Sequence, residues 1–384
     1  MAQNIKVAVV IGTRPEAVKM APVVLELRRT RGIETILCNT AQHRQMVDQI
    51  LRLFQLKADI DLNLMKEQQT LPEITSAILL SMDTVLKQTR PDWVLVQGDT
   101  TTVMAATLAA FYNQVKVGHV EAGLRSYDKW APYPEEINRK IAGIIADLHF
   151  APTAQARDNL LKESIPPAIC HVTGNTVIDA LQLAAEMPFD LGKSPLKSIP
   201  FDTKEIITVT AHRRENLGKP LENIFAAILK ISHEFYDRIH IVYPVHPNPA
   251  VQNAARAILD GQKNISLIAP LDYLDMVQLM KRSKIILTDS GGLQEEAPGL
   301  GIPVLVLREV TERPEGIRSG NVRLVGANPE RIFNQVSALL NDPADWERMA
   351  KAANPYGDGK AAERIVSLIL QQYMKRKSGT EPGT

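Results

Sequence analysis

A chain of 384 residues is too long for one ordinary core and suits two α/β domains of roughly 150 to 200 residues each. Apolar residues at 45% and charged residues at 23% exclude a disordered chain, and 44 Lys plus Arg against 43 acidic residues exclude the basic field that holds nucleic acid nonspecifically. The run from Met1 into the strand-like Ile5–Ile11 holds no apolar stretch long enough for a signal peptide or a membrane span, so a cytoplasmic protein without a membrane partner is expected.

Short β-branched runs alternate with helical stretches along the chain, the pattern of parallel βαβ units with helices on both sheet faces. In the first half, strands are expected at Ile5–Ile11, Glu34–Cys38, Trp93–Gln97, Val115–His119, Leu148–Ala151 and Cys170–Thr173. Cys38 and Cys170 both fall in apolar runs and are expected to be reduced core residues. Glu186–Lys204, with three prolines, a glycine and no clear periodicity, is the expected linker. The pattern then restarts with strands at Ile206–Thr210, His240–Tyr243, Ile265–Ala269, Lys284–Leu287, Pro303–Leu307 and Val322–Val325, and helices such as Leu221–Phe235 and Asp272–Lys281. Ala361–Tyr373 has helical spacing and is expected to pack near the domain junction, crossing back to the first domain, ahead of a disordered tail from Lys375 to Thr384. The expectation is an α/β protein of two Rossmann-like domains facing across a cleft, residues 1–185 and 205–360, joined by 186–204 and followed by a helix and tail at 361–384.

In open parallel sheets, ligands bind beyond the carboxyl ends of the strands, and those positions are polar here. After the first strand, Gly12 permits a tight turn, Pro15 suits the first helical position, and Arg14 stands beside a positive helix end with Lys19 one turn on. That is a phosphate site, or a βα turn with a solvated Arg. After the third strand Asp99 either caps the next helix or faces the cleft. Glu121 follows the fourth strand, and Glu135 and Glu136 open a later helix, where acidic residues are also ordinary dipole partners. Convergence of Asp99, Glu121 and Glu135 on one cleft would raise their pKa values and suit them to acid/base work.

In the second half, His212 follows a strand together with Arg213 and Arg214, and His246 repeats the arrangement one strand later, where a structural role is the commoner explanation. Thr288-Asp289-Ser290-Gly291-Gly292 follows an apolar strand: the glycines expose backbone N–H groups at a helix start and Ser290 adds a hydroxyl, which makes a diphosphate cradle unless the glycines serve only a tight turn. Glu296, on the second turn of that helix, could accept ribose hydroxyls. No G-x-G-x-x-G follows any strand and no Walker A loop, H-E-x-x-H, cysteine pair at ligand spacing or G-x-S-x-G is present, so neither a redox cofactor nor a metal is expected.

Taken in order, Gly12-Thr13-Arg14-Pro15-Glu16, Gln42-His43-Arg44, Gly98-Asp99-Thr100-Thr101-Thr102, His119-Val120-Glu121-Ala122-Gly123-Leu124-Arg125, Pro134-Glu135-Glu136, Gly174-Asn175-Thr176, His212-Arg213-Arg214-Glu215, Asp289-Ser290-Gly291-Gly292, Gln294-Glu295-Glu296-Ala297-Pro298, Thr311-Glu312-Arg313-Pro314-Glu315 and Asn354-Pro355-Tyr356-Gly357-Asp358-Gly359 make the chain resemble, end to end, the non-hydrolysing UDP-N-acetylglucosamine 2-epimerases, relatives of the GT-B glycosyltransferases. The resemblance implies interconversion of UDP-GlcNAc and UDP-ManNAc without a cofactor, by elimination of UDP to 2-acetamidoglucal and re-addition, in a homodimer that supplies cell-surface polysaccharide precursors. It nominates Asp99, Glu121 and Glu135 for acid/base work, with His212 near the diphosphate and sugar. Arg14, Arg313 and the N–H groups of Ser290–Gly292 would bind the diphosphate, Glu296 the ribose, and Leu271 through Met276 the uracil. Gln42, His43 and His246 fit a second, activating UDP-GlcNAc site, with Gln68 where activated members can carry Arg. A hydrolysing 2-epimerase, a GT-B glycosyltransferase and a noncatalytic nucleotide-sugar sensor are the alternatives.

Overall fold

The structure, a computed structural model, describes residues 4–41, 44–65 and 69–377. The chain separates into two units: one runs to Ala180 and resumes at Tyr356, the other is Leu181–Pro355.

The first unit is built on β1 (Ile5–Ile11), β2 (Ile33–Asn39), β3 (Ile60–Asp61), β4 (Trp93–Gln97), β5 (Lys116–Val120), β6 (Leu148–Ala151) and β7 (Cys170–Val172). They form one sheet in the order β3-β2-β1-β4-β5-β6-β7, with every pair parallel. Strands flanked by helices on both faces must be apolar throughout, and β4 is buried at all of its positions. Each such Val or Leu contributes about 1.5–3 kcal/mol relative to exposure. Cys38 and Cys170 are free and buried within these strands.

The second unit carries β8 (Glu205–Thr210), β9 (Ile239–Pro244), β10 (Ile265–Ile268), β11 (Ser283–Thr288), β12 (Val304–Val306) and β13 (Val322–Leu324), again all parallel, in the order β10-β9-β8-β11-β12-β13. In each sheet the winding direction reverses once, between β1 and β4 and between β8 and β11. Such a switch point leaves a crevice at the strands' carboxyl ends, where the polar turns of the sequence are found. Gly12, the first residue past β1, is confined there: a Cβ on it would stand 2.3 Å from Thr40 Oγ1 and 2.6 Å from Thr102 Oγ1.

The segment expected as a linker is packed. Leu196 and Ile199 are buried with Ile206, Val242, Leu271 and Leu279. The prolines break periodicity, but the apolar residues between them still cover one face of the second sheet, and the chain passes between units at Ala180 and Leu181, inside the helix Thr176–Glu186. The C-terminal helix extends over Ala361–Lys377, beyond the expected end at Tyr373 and through Lys375, and packs in the first unit against the helix Arg14–Arg29. Asp179 fixes its start by accepting the Ala362 N–H at 2.8 Å. Helical hydrogen bonding carries the polar Lys375–Lys377 turn, which composition alone assigned to the tail.

Candidate functional site

Parallel register sets Gln97 at the end of β4 beside Val120 at the end of β5, so the turns that follow present Asp99 and Glu121 from adjacent strands. Glu121 is buried and takes a left-handed backbone, φ 61°, which strains a residue with a Cβ and holds its carboxylate back toward β4. There it receives Lys19 Nζ at 2.6 and 2.7 Å on its two oxygens, Asn175 Nδ2 at 3.2 Å, and Gln97 Nε2. Lys19, expected beside a phosphate, is thus seated on Glu121. It lies on the face of its helix turned to the β5 end, which spacing from Arg14 does not reveal.

Asp99 accepts Arg139 Nη2 at 2.5 Å, and its main-chain carbonyl accepts Asn138 Nδ2 at 3.0 Å. Burial raises the Asp99 carboxyl above its ordinary value, Arg139 opposes that rise, and the neighbouring Glu121 adds to it. Of the two carboxylates opening the helix Glu135–Ile145, Glu136 is structural: it is buried, accepts the Ser126 and Tyr127 N–H groups at 3.0 and 3.1 Å, and pairs with Arg139 at 3.3 Å. Glu135 is the opposite case, for its Oε2 is buried without a hydrogen-bond partner among the described residues. Behind them, burial lowers the His119 imidazole to about 4, so it stays neutral against the Gly98 carbonyl at 2.7 Å. Arg14 is half-buried and makes no hydrogen bond or ion pair among the described residues.

In the second unit, β11 ends at Thr288 and the helix Gly291–Gly299 begins with Ser290 as its N-cap. A Cβ on Gly291 would stand 2.8 Å from the Arg313 guanidinium, and one on Gly292 would stand 3.2 Å from Glu296 Oε1. The cradle, the arginine and the ribose candidate are therefore gathered at one helix start. Arg313 is steadied by Glu295 Oε1 at 2.5 Å from its Nε. Asp289, wholly buried, accepts the His212 and Arg213 N–H groups, both at 2.8 Å, and Asn216 Nδ2 at 3.0 Å, which ties the turn after β8 to that after β11. The His212 ring stacks on His246, centroids 4.8 Å apart and planes within 5°. Burial depresses the His212 pKa while Asp289 resists the shift. Leu271 is buried and Met276 half-buried, both in the apolar cluster with Leu196 and Ile199.

Sequence reasoning gave no role to Gln97, Asn175, Arg139 or Asp289. Gln97 ends a strand, Asn175 and Asp289 stand in turns after strands and Arg139 lies on the helix Glu135–Ile145, but the role of each comes from a partner far along the chain. Of the expected activator residues, His246 is exposed beside His212, whereas Gln42 and His43, like Gln68, lie outside the described residues. Among the described residues no helix is long and apolar enough to cross a membrane, and no group of His, Cys, Asp and Glu could hold a metal.

A family model described as UDP-N-acetylglucosamine 2-epimerase matches residues 25–370. The chain belongs to this family. It is 52% identical to a UDP-N-acetylglucosamine 2-epimerase of Bacillus subtilis, with 98% of this chain and 97% of that protein covered. Among solved structures, that of the Neisseria meningitidis UDP-GlcNAc 2-epimerase bound to UDP-GlcNAc matches at TM-score 0.84 and 49% identity, covering 96% of this chain and 100% of the other. The Methanocaldococcus jannaschii UDP-GlcNAc 2-epimerase in complex with UDP-GlcNAc and UDP matches at TM-score 0.75 and 35% identity, over 96% and 100% of the two chains. These relatives match the fold of the present chain and cover 96% or more of it.

Proposed function

We propose that this 2-epimerase interconverts UDP-GlcNAc and UDP-ManNAc without hydrolysis. A carboxylate takes the C2 proton, the C1–O bond breaks and UDP departs with the bonding pair, leaving 2-acetamidoglucal. A proton then returns to C2 on the opposite face and UDP adds back at C1. The observation that carries this reading is the pair of carboxylates at adjacent strand ends, Asp99 with Arg139 and Glu121 with Lys19, together with Glu135 on the helix that supplies Arg139, whose buried Oε2 has no hydrogen-bond partner among the described residues. The raised Asp99 pKa brings a carboxyl closer to the range where it gives up and regains a proton near neutral pH. For the departing diphosphate, the Ser290–Gly292 N–H groups and Arg313 offer fixed positive charge, with His212 of the same unit as a further partner; Arg14, which the resemblance also names, stands on the first unit. Glu296 would hold the ribose, and Leu271 and Met276 the uracil.

The alternatives predict different products. Turnover of UDP-GlcNAc in D₂O with EDTA and without NAD, followed by NMR, is expected to yield UDP-ManNAc carrying deuterium at C2. Free ManNAc with stoichiometric UDP would establish a hydrolysing enzyme. Binding without turnover would establish a sensor, and product with protium at C2 would exclude proton exchange through a side chain. A cytoplasmic homodimer belongs to the same proposal. Leu80, Phe111, Tyr112 and Ile144 are exposed on three helices packed side by side, an apolar surface suited to a second copy, and light scattering on the purified protein measures that state.

A further inference from the structure

Glu16 has no part in the chemistry above, yet its carboxylate joins the two turns on which that chemistry depends. Oε2 accepts the N–H groups of Gly12 at 2.5 Å and Thr13 at 2.8 Å. This half is the acidic arm of a capping box and serves the helix Arg14–Arg29. The other half does not. Oε1 accepts the hydroxyl of Thr100, which belongs to the turn after β4. Thr100 Oγ1 in turn accepts the Val103 N–H at 3.3 Å and so starts the next helix, immediately after Asp99.

A capping residue at a helix start is ordinarily solvated, whereas Glu16 is buried, and burial pushes its carboxyl up to about 7. A local cap has no need of that cost. A link across the β1–β4 switch point does, because it must lie between the two turns it joins. We propose that Glu16 is a positioning residue that locks the turn carrying Arg14 to the turn carrying Asp99, and so sets the placement of the proton-transferring carboxylate against the nucleotide-sugar. This rests on the epimerase reading of the site. Glu16 touches no reacting atom; it acts through Thr100.

A double-variant cycle with Glu16→Gln and Thr100→Val tests the link, reading kcat, KM and the Kd of UDP per folded enzyme. Each single variant is expected to lower kcat about tenfold or more, the scale on which small misplacement of a catalytic group acts. UDP affinity should fall much less than kcat, because Arg14 is the one expected diphosphate partner on the disturbed turn and the Ser290–Gly292 cradle belongs to the other unit. The double variant should be no slower than the slower single one, since one link is broken only once. Where Glu16→Gln fails to fold, Thr100→Val alone must still show a fall in kcat that exceeds any fall in UDP affinity. A kcat near wild type in the folded single variants, or losses that multiply in the double one, overturns the proposal. Wild-type protein that does not epimerise UDP-GlcNAc removes the reaction itself, a result distinct from active wild type beside equally active variants.

Discussion

Replacing Lys19 by Met would test the ion pair at the centre of the carboxylate cluster. Its ammonium lies 2.6 and 2.7 Å from the Glu121 oxygens, with 17% of the Lys19 side chain and 5% of the Glu121 side chain exposed. At an effective dielectric near 20 the gross attraction at this separation is roughly 6 kcal/mol, much of it offset by desolvation of both ions. Removing one partner leaves the other charge buried and typically costs about 3–5 kcal/mol; the residual exposure of Lys19 brings the expectation to about 2–4 kcal/mol. For a unit of this size that lowers Tm by roughly 4–16 °C, readable by calorimetry as a shift of the first unit's transition. Met keeps the length of the side chain, so packing changes little. The companion variant Lys19→Met/Glu121→Gln removes the stranded charge and is expected to recover at least half of the loss. A shift below about 2 °C in the single variant, or a double variant no more stable than the single one, would refute the claim that Lys19 serves Glu121.

In the second unit, Arg313→Ala removes the guanidinium that lies against Gly291, and UDP binding is expected to weaken by about 2 kcal/mol, roughly 30-fold; unchanged affinity by titration calorimetry would remove Arg313 from the site. Asp179, the buried carboxylate at the start of the C-terminal helix, gives a pH test of stability. Burial raises it from 3.8 to about 6, so the folded state holds the proton more tightly than the unfolded chain; its favourable contribution is complete below about 4 and is lost as pH rises toward 6. That loss amounts to about 3 kcal/mol, and Asp179→Asn, which can still accept the Ala362 N–H, should gain stability relative to wild type across this window. A stability difference that stays flat from about pH 4 to 7 would contradict the assignment.

The strand ends were legible because a parallel βαβ chain confines ligands to them. Every expected strand appears within a residue or two of its place, and only β3, two residues long, has no period to detect. The Ser290–Gly292 turn stands out as two glycines after an apolar strand, where a tight turn was the alternative; Arg313 came from the resemblance alone, and the structure sets its guanidinium against Gly291. Partners set by the fold were not legible. Lys19 and Glu121 are 102 residues apart, and nothing in the spacing of Lys19 from Arg14 shows that its helix turns it away from that residue and toward β5. The linker failed for the same reason, since prolines mark a break in periodicity but not which apolar neighbours, such as Leu196 and Ile199, find a surface to cover.

The deeper gap lies among the three carboxylates, which are interchangeable as letters. Sequence can place Asp99, Glu121 and Glu135 after strands or at a helix start, and no further. The fold separates them by what it sets against each. Glu121 is clamped by a cation and two amides in a strained backbone, an arrangement that holds a carboxylate in one orientation. Asp99 keeps a single arginine partner, and burial raises its carboxyl, which makes its carboxylate a stronger base. Glu135 has a buried oxygen with no hydrogen-bond donor among the described residues, which under the proposed reaction the substrate would supply. Environments that differ this much assign different work to chemically similar groups, and epimerisation needs such a division, because a proton must leave one face of C2 and return to the other.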